Sequence, residues 1–195
     1  YFISAEQVAL SNALSNGETD IRAFISTHPI SMQSLRFMNE WHLTDHVSVF
    51  YPGIQTQPLQ ALLPQDYELI YQKPINSLGA WPEKTFNHQE AIKEAAHLAY
   101  HRSYGPYTSF KSGVAIEGQY QKMFCGSYIE TVADQPGLYP ICLALSNMIV
   151  ADQSFADIKQ VLLMIQPSNN ESVIDQTSAI LQNISDIRLD IEILN

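Results

Sequence analysis

A short string from the start of this chain comes back near its far end: Ala9-Leu10-Ser11-Asn12 returns as Ala144-Leu145-Ser146-Asn147. Such an echo predicts two copies of one helix-bearing unit rather than one continuous core. In that register Tyr139 and Ile141 stand where Ser4 and Glu6 do. Sliding the register so that Cys142 faces Ser4 puts Ala144 opposite Glu6.

Around each copy the pattern can be read in order. Ser4 and Gln7 make a capping box, S-x-x-Q, that opens a helix over 4–16, and Asn16-Gly17 stops it. Residues 21–26 read as a buried strand that His28-Pro29 breaks. Residues 31–41 read as a second helix, with Ser31 at its N-terminus and Leu35, Met38 and Trp41 spaced to face a core. A strand over 47–51 closes at Pro52-Gly53. A short helix over 57–67 is broken at Pro64. Pro74, Gly79 and Pro82 among polar residues mark 72–86 as a linker.

The second half opens with a helix over 88–101. Strands follow at 112–117 and 122–129. Pro140 sits in the first turn of a helix that ends near Val150, as its fixed φ and missing N–H allow. A strand over 161–165, a helix over 173–184 and an alternating strand over 187–194 complete the chain. The order β-β-α-β-α-β after an opening helix suits a three-layer α/β/α domain. The first half holds only the helix-strand-helix-strand end of that order.

Zinc-dependent nucleobase deaminases carry H-x-E followed by P-C-x-x-C, in which the His and the two Cys hold the metal and the Glu moves protons. Here Glu6 occupies the Glu position, Ser4 stands two residues before it, and Ser31 and Ser34 keep the C-x-x-C spacing. Further stretches accompany this frame: Arg36-Phe37-Met38-Asn39-Glu40, Tyr51-Pro52-Gly53, Pro106-Tyr107-Thr108-Ser109-Phe110 and Gly126-Ser127-Tyr128-Ile129-Glu130. On these residues the chain resembles the homodimeric, two-domain cytidine deaminases of bacteria. The resemblance implies an α/β chain with the three-layer α/β/α cytidine deaminase-like fold in two tandem units. The first lacks its N-terminal helix and two strands. Residues 1–71 would be the C-terminal part of the catalytic-type domain, 72–86 the linker and 87–195 a second, degenerate domain. It also places Glu6 as proton shuttle, Ala5 against the substrate, and zinc as the family's cofactor.

The residue chemistry opposes that cofactor. Zinc takes thiolate, imidazole or carboxylate donors, and three serine hydroxyls at 4, 31 and 34 offer neither charge nor an easily lost proton. Without the metal, a bound water keeps a pKa of about 15.7 instead of about 7, so Glu6 alone cannot make hydroxide. No metal or other cofactor is expected in this chain. The expected role is therefore structural, in dimerisation or in regulation of an active partner. Two alternatives remain. One is an active hydrolase of pyrimidine salvage that converts cytidine to uridine, with Glu6 as shuttle and the metal supplied otherwise. The other is a non-catalytic nucleoside-binding module.

A net charge of -10 excludes the basic groove that DNA or RNA would need, whereas a nucleoside carries no phosphate. No run approaches the roughly 20 apolar residues of a membrane span, and no basic segment leads a short apolar one, so a cytoplasmic location is expected. The start at Tyr1 suggests a fragment or a processed chain. An upstream segment or a second copy is then expected to cover the incomplete first unit, and the resemblance favours a homodimer. Cys125 and Cys142 form no C-x-x-C pair and read as reduced thiols, with Cys142 buried and inert. Glu40, His42, Asp45 and His46 read as a solvated polar face rather than a metal cluster. Asn170-Glu171-Ser172 fits a glycosylation pattern without a secreted context to support it.

Overall fold

The computed structural model describes residues 3–16, 18, 20–41, 43, 46–64, 90–131, 137–167 and 171–194. The chain separates into two compact units, Tyr1–Trp81 with Thr131–Pro136, and Pro82–Glu130 with Gly137–Asn195. The expected linker over 72–86 lies outside the described residues.

In the first unit, helix α1 (Ala5–Ser15) buries Gln7, Leu10, Ser11 and Leu14, the spacing of a single helix face. Strand β1 (Ala23–Ile25), helix α2 (Met32–Glu40) and strand β2 (Ser48–Phe50) follow. β1 and β2 run parallel, joined through α2, with Phe24 opposite Val49 and Ile25 opposite Phe50. The two-residue strand β3 (Gln57–Pro58) returns antiparallel beside β2, and a single 3₁₀ turn over Leu59–Leu62 ends the described part. Leu35, Met38 and Trp41 are buried as their spacing predicts. Gly53, at φ +74°, makes the turn after β2 in a conformation that side-chain-bearing residues rarely adopt.

The second unit is a sheet between two helical layers. It contains α3 (Ala91–His101), β4 (Ser112–Glu117), β5 (Met123–Ser127), α4 (Pro140–Val150), β6 (Gln160–Ile165), α5 (Glu171–Ile184) and β7 (Leu189–Ile193). The strand order is β5-β4-β6-β7. β4 is antiparallel to both β5 and β6, while β6 and β7 are parallel, with α5 as their crossover. Alternation along the strands sorts the core into two faces. Ala115, Leu162 and Met164 meet Ala95 and Ala96 of α3. Val114, Ile116, Val161, Leu163 and Ile165 meet Ile141, Ala144 and Met148 of α4 and Val173 and Leu181 of α5. Small residues let the layers approach closely. A Cβ on Gly126 would lie 2.0 Å from the Pro140 carbonyl oxygen in the first turn of α4.

Three elements differ from the sequence expectation. The strand expected over 21–26 shrinks to Ala23–Ile25 and is buried on one face only: Phe24 is covered, while Ile25 is 83% exposed. Its apolar run came from one covered face plus an exposed isoleucine, not from two covered faces. The helix expected over 57–67 is a strand pair followed by one 3₁₀ turn, because Pro58 takes an extended conformation and has no N–H to give a helix; residues 65–67 lie outside the described part. The strand expected to reach residue 129 ends at Ser127. Beyond it Ile129 leaves the ladder to bridge Tyr104 and Leu138.

Candidate functional site

The N-terminal turns of α1 and α2 meet in a cluster of hydroxyls. Ser4 caps α1 reciprocally: the Gln7 N–H donates to Ser4 Oγ at 3.1 Å, and the Ser4 N–H donates to Gln7 Oε1 at 3.0 Å. Ser31 caps α2 by accepting from the Ser34 N–H at 3.1 Å. The Ser34 side chain, fully buried, links the two caps. Its hydroxyl donates to Ser4 Oγ at 2.8 Å and to Glu6 Oε2 at 3.2 Å, sharing one proton between them. Ser31 Oγ lies 2.9 Å from Ser34 Oγ and, since the Ser34 proton is already given, is the donor of that pair. The structure thus brings Ser4, Glu6, Ser31 and Ser34 together, while the Ala5 side chain faces outward, exposed.

These residues do not fit a zinc ion. Two oxygens each about 2.0 Å from a tetrahedral zinc stand roughly 3.3 Å apart. The serine oxygens are closer, at 2.8 and 2.9 Å, because they bond to one another. Glu6 is occupied as the acceptor for Ser34. A neutral hydroxyl network with one carboxylate can hold two helix ends and accept or donate to a neutral polar group. It has no strong Lewis acid and no low-pKa nucleophile.

In the second unit the two motif stretches are stitched together. The Tyr104 backbone bonds on either side of Ile129, its N–H donating to Tyr128 O at 2.8 Å and its carbonyl accepting from the Glu130 N–H at 2.7 Å. Glu130 Oε2 accepts from the Tyr107 and Thr108 N–H groups at 2.8 and 3.1 Å. Phe110 meets Tyr128 edge to face at 5.2 Å. Burial, then the Glu130 charge and Tyr139, push the Tyr128 phenol up to about 12. A carboxylate committed to two backbone donors explains why the stretches around 107 and 130 occur together. Tyr139, just before α4, reaches Ser172 in the first turn of α5 at 3.3 Å.

The remaining candidates resolve as follows. Cys125 and Cys142 are free thiols. Burial pushes Cys125 up to about 12, and burial also raises Cys142, so neither is an activated nucleophile. Glu40 accepts the Thr131 hydroxyl. His42 and Asp45 lie outside the described residues, as does Asn170 of the glycosylation pattern. A concavity of about 440 Å³ beside the C-terminal half of α5 is lined by Gln182, Asp186 and Arg188 among others and contains none of the expected site residues. Among the described residues no helix is long and apolar enough to cross a membrane. Sequence reasoning passed over one feature, the His97 and His101 pair, which its four-residue spacing on a helix could have flagged.

A mixed sheet between helical layers, with a second helix-capped strand pair, makes this an α/β protein. It belongs to the cytidine and deoxycytidylate deaminase family, whose zinc-binding region model matches residues 56–179. That match begins after Ser34, so the serine cluster lies outside it. The chain is 29% identical over 191 residues to a cytidine deaminase of Shewanella amazonensis, covering 96% of this chain and 64% of that protein. It is 28% identical to one of Aeromonas hydrophila, covering 96% and 65%. The chain thus spans slightly less than two thirds of the length of these curated relatives. A crystal structure of cytidine deaminase from Burkholderia pseudomallei superimposes with a TM-score of 0.46 at 20% identity, over 54% of this chain and 83% of that one.

Proposed function

We propose that this chain is a deaminase-family protein that does not deaminate, and whose role is structural or regulatory within an assembly. The observation that carries this is the Ser34 hydroxyl, bonded at once to Ser4 and Glu6. The positions that would hold a metal are spent on capping and on each other, and Glu6 has no activated water to serve. In this reading Ser4, Ser31 and Ser34 are degenerate ligand positions, Glu6 is idle, and Ala5 lies beside a base-binding region that no longer turns over.

The same proposal treats the chain as two tandem units, 1–71 and 87–195, around a linker at 72–86. Topology supports it: α1-β1-α2-β2 and α4-β6-α5-β7 each end in a parallel strand pair joined by a helix. α1 and α4 are both 11 residues long and carry Ala-Leu-Ser-Asn at the same step. By that equivalence the described residues of the first unit hold no counterparts of α3, β4 and β5. An upstream segment or the second copy of a homodimer would supply them. The acidic balance and the lack of a long apolar helix among the described residues fit a cytoplasmic chain that binds neither nucleic acid nor membrane, and at most a cytidine-type nucleoside.

The relatives' shared name of cytidine deaminase, across 96% of this chain, favours a second reading, a working deaminase with ligands from elsewhere. One assay separates the two. The purified chain is supplied with zinc and cytidine, and uridine and bound metal are both measured. The proposal expects no uridine above the no-protein control and less than stoichiometric zinc. Steady uridine production with about one zinc per chain would establish the second reading instead.

A further inference from the structure

His97 and His101 lie one turn apart on the exposed face of α3. Their Nε2 atoms are 3.0 Å apart, and the rings meet near-perpendicular with centroids at 4.3 Å. Neither residue belongs to the serine cluster or to the family motifs. At this distance the two nitrogens share a proton, one donating and the other accepting, so the two Nε2 edges face each other. Two imidazole nitrogens each about 2.0–2.1 Å from a first-row ion stand roughly 2.9 Å apart at right angles, and roughly 3.4 Å apart in a tetrahedron. The observed spacing is that of neighbouring ligands around a tetragonal ion.

We propose that His97 and His101 form a two-imidazole site for a divalent late transition-metal ion, Cu²⁺ above all, with solvent completing its coordination. The backbone beneath them is fixed, because Ala95, Ala96 and Ala99 of the same helix are fully buried. Two His four apart on one helix face are a known metal-holding arrangement. Both rings are exposed, so an ion reaches them without an entry path. On binding, the shared proton moves to a far-side Nδ1 and the two lone pairs turn to the metal. Cu²⁺ leads the divalent series for nitrogen donors. Among the described residues no group of three His, Cys, Asp or Glu could hold a metal, so the protein supplies two ligands and the ion stays exchangeable. Lys111 acts electrostatically on His101 and works against binding of a cation.

The test titrates the intact chain with Cu²⁺, Ni²⁺ and Zn²⁺ by calorimetry in a glycine-competed buffer and records the copper spin-resonance spectrum. The expected result is one tight Cu²⁺ per chain with nitrogen hyperfine structure, and weaker Ni²⁺ and Zn²⁺. His97→Gln and His101→Gln should each weaken Cu²⁺ at least tenfold, Lys111→Met should tighten it, and His28→Gln should leave it unchanged. Far-UV circular dichroism verifies that each variant is folded. Copper affinity unchanged in both His variants of α3, or lost in His28→Gln alone, overturns the proposal.

Discussion

Ser34 Oγ lies 2.8 Å from Ser4 Oγ, joining the N-terminal turns of α1 and α2 across 30 residues of chain. Each serine also serves its own helix end, Ser4 as the cap of α1 and Ser34 as the donor to the cap of α2. Local capping and long-range contact are therefore one network. It holds the opening turns of α1 and α2 together.

Ser34→Ala should destabilise the chain by about 1–2 kcal/mol, since it removes the central hydroxyl and leaves its neighbours short of a buried partner. Urea denaturation read by tryptophan fluorescence measures this. A midpoint unchanged within error would mean that the caps act separately and the link between them adds nothing.

Zinc-ligand side chains placed at the serine positions should create a zinc site. Ser4→His with Ser31→Cys and Ser34→Cys places an imidazole and two thiolates around the same pair of helix ends. The triple variant should bind about one zinc per chain and melt at a higher temperature with zinc than with chelator, by mass action on the folded state. Zinc content no greater than that of the parent chain would show that the helix ends are not spaced as a metal site.

Much of this site could be read from the residues. The Ser4/Gln7 capping box and Ser31 ahead of α2 are local signals, set by residues within one turn of each helix end. Pro140 at the first position of α4 is legible for the same reason. What the sequence obscured was set by tertiary context. The short apolar run around Phe24 does not reveal whether one or both faces of a strand are covered, and Ile25 proved exposed. The Glu130 contacts to Tyr107 and Thr108 join residues 23 and 22 apart; the motif stretches suggested both ends, but only the fold shows the bond. The His97 and His101 pair was readable from spacing alone and lay outside every motif that drew attention.

Alkaline pH should weaken the fold through Cys125. Its thiol is raised from 9.0 to about 12 in the folded chain. Below pH 9 both states keep the proton, and the stabilisation is fully present. Between 9 and 12 the unfolded chain releases a proton that the folded chain holds, so stability falls as pH rises. Tyr128, raised from 10.0 to about 12, acts in the same direction. Urea midpoints should decline from pH 8.5 to 10.5, and Cys125→Ala should flatten part of that slope. In native protein at pH 8, a thiol reagent should modify the half-buried Cys125, whose Sγ donates to the Ala95 carbonyl, more slowly than in the urea-unfolded chain. Labelling as fast in the native as in the unfolded protein would refute this account of the thiol.

The uncovered side of the first unit should make the chain self-associate. Ile25 and Phe50 are register partners in the parallel β1–β2 pair, and they are 83% and 42% exposed. Within that sheet β1 is an edge strand, bonded to β2 alone. In the second unit the corresponding strand β6 has β4 on its other side, and Ala95 and Ala96 of α3 cover that sheet's face. Among the described residues the first unit offers an unpaired edge and an apolar face together, and both features draw in another chain. A second copy is always at hand, and two-fold pairing is the commonest form such association takes. Light scattering at micromolar concentration should therefore give a mass above the 22.0 kDa of one chain. Ile25→Lys with Phe50→Lys should shift the equilibrium toward the monomer at least tenfold, because each association would then bury unpaired cations. A stable monomer of the parent chain with a cooperative melt, or a double variant that associates as well as the parent, would count against this face as the contact.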